Sequence, residues 1–123
     1  MTDFRARFFH DCGPSWLWGS NAEAKGAFGY NIDHHVIGLS PELAAELDRL
    51  AAWHDSSLGQ QDQGHPCLWR QPECDAFNRD VSSAFSRLVV ELGSSWRLVN
   101  ESRELHEDPD LDRYLQDPGG FSR

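Results

Sequence analysis

The segment spanning residues 72–92 constrains the fold of this chain more than any other stretch. Cys74, Phe77, Val81, Phe85, Leu88, Val89 and Leu92 recur mostly at steps of three or four residues. That spacing sets them on one stripe of an α-helix, with Asp75, Arg79, Asp80, Ser82, Ser83 and Arg87 on the opposite side. Pro72 suits a first helical turn, where its missing N–H has no partner to lose. Glu73 and Asp75 place negative charge at the positive end of the helix dipole, and Gly93 is suited to the left-handed conformation that closes a helix. Large apolar side chains such as these contribute roughly 1.5–3 kcal/mol each when fully buried, so the helix needs an apolar surface to lie on.

That surface is expected from both ends of the chain. Phe4, Ala6 and Phe8 alternate with Arg5 and Arg7, the period of a strand with one buried face. Residues 11–15 (Asp-Cys-Gly-Pro-Ser) have turn chemistry, and Trp16-Leu17-Trp18 follows as a short second strand, so residues 4–18 read as a hairpin. Ser20 and Glu23 have the spacing of a capping box, which predicts a short helix to Phe28 closed by Gly29. Residues 30–39 give no regular signal. Ser40-Pro41-Glu42 marks another helix start, with Leu43, Leu47, Leu50, Ala51 and His54 as its stripe. Residues 58–71 read as a long loop, and Trp96, Leu98 and Asn100 alternate with Arg97 and Val99 as a third strand. The expected fold class is α+β: a small antiparallel sheet in the order ββαααβ, with helices packed on one face. Residues 1–118 are expected to form a single domain and 119–123 a loose tail.

Charge narrows the function. Twenty acidic residues against eleven basic ones give a net charge of −9, the wrong sign for a nucleic-acid surface or for attraction to anionic membranes. With no apolar run of about 18 residues, no signal-peptide pattern at the start and only three cysteines, the expected location is the cytoplasm. Between Glu101 and Asp117, seven acids face two arginines, a net −5. Asp108, Asp110 and Asp112 copy the first three ligand positions of a calcium loop, but Arg113 stands where that loop needs glycine and Gly119 where it needs glutamate. A solvated acidic run accounts for them better.

Two histidine–cysteine pairs, His10/Cys12 and His65/Cys67, share a two-residue spacing that points both side chains of an extended pair the same way. Together they form an alternative four-ligand zinc set. His34 and His35, following Asp33, are candidates for a pH-sensitive contact, against the simpler reading of two surface histidines beside Val36. Trp53 and Trp69 stand where aromatics anchor interfaces or staple loops to their own domain. No nucleophile elbow, phosphate loop, dinucleotide turn or zinc-protease motif occurs, which leaves no positive argument for an enzyme.

In size and charge the chain resembles small bacterial immunity or inhibitor proteins, which mask basic sites on toxins. The resemblance is one of general type and carries no residue roles. It implies a non-enzymatic, acidic protein-binding module with a basic protein partner. Its expected contact residues are Trp53, Trp69, Asp33, His34, His35, Asp62, Glu107, Asp108, Asp110 and Asp112. The alternatives are a zinc protein or metal-dependent enzyme using the His/Cys pairs, and a self-associating structural protein, such as a homodimer paired through an open strand edge.

Overall fold

The computed structural model describes residues 3–11, 15–56 and 67–121. Strand β1 (Phe4–Phe8) pairs antiparallel with β2 (Leu17–Gly19), which pairs antiparallel with a two-residue β3 (Asn31–Ile32). Helix α1 (Ala22–Phe28) lies between β2 and β3. Helices α2 (Pro41–Ser56) and α3 (Gln71–Leu92) follow, then β4 (Trp96–Asn100) and a six-residue α4 (Leu111–Gln116). The class is α+β, as the one-sided elements require.

The sheet order is β3-β2-β1-β4, and β4 runs parallel to β1, so the sheet is mixed and not wholly antiparallel. Side chains alternate with period two in either direction, so the sequence pattern carried no information on strand sense. At 22 residues α3 is about 33 Å long and takes the chain across the sheet before β4 begins. Phe4 faces Trp96, Ala6 faces Leu98 and Phe8 faces Asn100 across the parallel pair. Ala6 and Phe8 are fully buried, and the Phe8 ring packs 5.1 Å from that of Phe85 on α3 and 5.2 Å from Trp16. Arg5, Arg7 and Trp18 take the other face, as the alternation predicts. Among the described residues the core joins Phe8, Trp16, Leu17 and Ile32 from the sheet side to Leu43, Leu47, Leu50, Cys74, Phe77, Val81 and Leu88 from α2 and α3.

The start of α1 differs from the expectation. Its N-cap is Asn21, not Ser20: the Asn21 side-chain oxygen accepts from the Ala24 N–H at 3.0 Å. The same oxygen accepts from the Arg5 N–H at 3.2 Å, and its NH₂ donates to the Asp3 carbonyl at 2.8 Å. An amide carries donor and acceptor on one planar group and so ties the helix start to β1, a geometry beyond a serine hydroxyl. Ser40 caps α2 as expected, accepting from the Leu43 N–H at 3.2 Å, and Gly93 closes α3 at φ +70°. No described helix is long and apolar enough to cross a membrane.

Candidate functional site

Among the described residues three surfaces gather groups able to bind something. The first is a cleft of about 450 Å³ where β1 and β4 end, bordered by Arg7, His10, Trp16, His54, Phe77 and Glu101 among others. Arg7 and Glu101 form an ion pair at 2.6 Å across its strands. Farther in, the imidazoles of His10 and His54 pack 4.6 Å apart, and Asp55 lies 4.0 Å from a ring nitrogen of each. Burial lowers the His54 pKa, the nearby His10 pushes it the same way, and Asp55 opposes both without cancelling them. His10 and His54 are 44 residues apart, so spacing gave no hint that they meet.

The second is built on a short 3₁₀ turn over His34–Val36, opened by Asp33, whose carboxylate accepts from the His35 N–H at 2.9 Å. His34 is 2% exposed. Its Nε2 lies 2.8 Å from Asp48 Oδ1 on α2, and His35 Nε2 lies 3.0 Å from Asp48 Oδ2. Partial burial of Asp48 raises its pKa, but hydrogen bonds and charge from the two histidines outweigh that and leave it lower than usual. The pair was legible as a candidate; its partner Asp48, a helix away, was not.

The third is the acidic segment. Asn78 on α3 receives the backbone of Leu105 as a strand would: its NH₂ donates to the Leu105 carbonyl and its oxygen accepts from the Leu105 N–H, both at 2.8 Å. Gln71 makes a reciprocal pair with Glu107, backbone to side chain in each direction, at 3.0 Å. Arg70 lies 2.8 Å from Asp112 and 3.6 Å from Glu107, while Asp108 accepts from the Asp110 N–H at 2.8 Å. Leu111 is fully buried. The acidic run is therefore docked along α3 and displays Asp112 on its surface, with Glu107, Asp108 and Asp110 half-exposed.

Of the remaining anticipated contact residues, Trp53 and Trp69 pack together apart from these three surfaces. Trp69 is 5% exposed and packs 5.3 Å from Trp53 and 5.2 Å from Phe77, which places it in the core as a staple. Trp53 is half-buried, with the Arg49 guanidinium 5.4 Å over its ring. Asp62 and two members of the alternative zinc set, Cys12 and His65, lie outside the described residues. Of the other two, Cys67 is half-buried and His10 lines the cleft. Among the described residues two groups could hold a cation: His10, His54 and Asp55, and His34, His35 and Asp48.

A family model described as Serratia CdiI immunity protein-like matches residues 5–102, from the first residues of β1 through the end of β4. The chain belongs to that family. An immunity-type protein has a toxin as its protein partner, so the general resemblance in size and charge pointed the right way. The CdiI-like match takes in the sheet except Phe4, together with α1–α3, and most of the acidic segment lies beyond it. No curated protein matches the chain.

Proposed function

We propose that this CdiI-like protein neutralises its toxin by binding it without catalysis, and that the toxin surface it covers is basic. Family membership carries the reading. The net charge of −9, and the concentration of seven acids between Glu101 and Asp117, support a basic partner. Glu107, Asp108, Asp110 and Asp112 form the principal contact surface, with Asp33, His35 and Trp53 as further contacts. His34 and Trp69, buried themselves, pack against His35 and Trp53. Asn78 and Gln71 hold the segment's backbone in advance, which lowers the ordering cost of association.

The test is co-expression with any toxin encoded by a neighbouring gene, read as rescue of growth, together with titration of the purified pair across salt concentrations. Rescue, with association that slows as salt rises, is the expected outcome, since exposed charges are screened beyond about 10 Å at 0.1 M. Rescue with salt-independent association would remove the acidic surface from the reading. Failure of rescue with any neighbouring toxin would remove the function.

A further inference from the structure

We propose that His34, His35 and Asp48 form a binding site for a divalent transition metal of the zinc class. Successive residues of a 3₁₀ turn project about 120° apart, so adjacent side chains normally diverge. Here the two rings lie 4.5 Å apart and both direct Nε2 to one carboxylate. The three ligand atoms lie within 4.8 Å of one another, and the two Nε2 atoms lie 2.8 and 3.1 Å from the same Asp48 oxygen, Oδ1, close to the roughly 3.3 Å that tetrahedral bonds of 2.0–2.1 Å would set between donors. Entry of an ion therefore needs each nitrogen to part from that oxygen by only a few tenths of an ångström. The His35 and Asp48 side chains, 51% and 45% exposed, are free to yield by that much.

His34 supplies the fixed member. Its side chain is 3% exposed, so its orientation is set by packing before any ion arrives. Coordination through Nε2 leaves each ring proton on Nδ1. Two imidazoles and one carboxylate suit zinc, cobalt or nickel and discriminate against magnesium and calcium, which prefer all-oxygen shells. The fourth position opens on the exposed side of His35, where water or an outside side chain completes the sphere. The acidity of the chain also favours cation entry.

Zinc, cobalt and magnesium chlorides would be titrated into the full chain, made without a polyhistidine tag, and melting temperature and cobalt visible absorption recorded. Zinc at a hundredfold excess over its dissociation constant should raise the melting temperature by about 10 °C for a chain of this length, with no comparable effect of magnesium. Cobalt should give the visible bands of a low-coordinate nitrogen–oxygen site. His35→Ala, an exposed change that the fold should tolerate, and Asp48→Ala should each lose the zinc shift and the cobalt bands. His54→Ala, which removes the other histidine cluster, should retain both. The proposal is overturned if the wild type shows no zinc shift, if magnesium matches zinc, if His35→Ala binds as the wild type does, or if His54→Ala abolishes binding.

Discussion

Replacing Asn78 by alanine tests whether the acidic segment is held by α3 or only lies near it. The substitution removes two hydrogen bonds of 2.8 Å to Leu105. At about 0.5–1.5 kcal/mol net for each, the loss is about 1–3 kcal/mol. Alanine is a better helix former than asparagine by roughly 0.6 kcal/mol, which offsets part of it. The net expectation is a destabilisation of about 1.5 kcal/mol, or a fall in melting temperature of about 6 °C for a chain of this length. Urea denaturation gives the first number. Native-state hydrogen exchange at the Leu105 amide gives the local one, because that N–H loses its acceptor. Asn78→Asp keeps the acceptor but turns a carboxylate oxygen toward the Leu105 carbonyl, so at neutral pH it should cost at least as much. If Asn78→Ala changes stability by less than about 0.3 kcal/mol, within ordinary surface-substitution scatter, and Leu105 exchange is unaltered, the clamp has no energetic role. The preorganised acidic surface would then lose its support.

Two further outcomes follow from the packing. Trp16 is 1% exposed and its Nε1–H donates to the Leu47 carbonyl at 3.0 Å; Trp16→Phe loses that bond and part of the ring volume, and urea denaturation should show about 2–3 kcal/mol of destabilisation. A loss under about 0.5 kcal/mol would mean that the core closes around the smaller ring. Glu91 accepts from the Ser40 N–H at 2.7 Å and from its hydroxyl at 2.8 Å, and these bonds, the backbone one foremost, lower its pKa. A carboxylate lowered on folding contributes in full above its unfolded pKa, near 4.3, and the contribution disappears as pH falls through the lower folded value. Glu91→Gln should therefore flatten the stability profile below about pH 4.3, and superimposable acid limbs for the two proteins would refute the assignment.

What the sequence disclosed depended on the range over which each signal acts. The stripe from Cys74 to Leu92, Ser40 as a cap and Gly93 as a stop are local and stand in the structure as read. Asn21 displaced Ser20 because its amide also reaches β1, sixteen residues away, and no window around the helix contains that contact. His34 and His35 were visible as neighbours, but Asp48, which draws them together, lies on another element. His10 and His54 meet only because β1 ends beside the end of α2. Helix α4 escaped notice because its six residues carry too few apolar positions for a period to emerge; buried Leu111 alone marks the inward side.

The parallel pairing of β1 with β4 bears on when protection can begin. Residue 4 must wait for residue 96 before its edge is zipped, so a nascent chain carries an unfinished sheet until β4 has left the ribosome. Contacts this distant in sequence form slowly, and open edges invite mispairing meanwhile. Copies that stop short of β4 therefore lack both the finished sheet and the acidic segment that follows it, and under the proposed function they would give no protection.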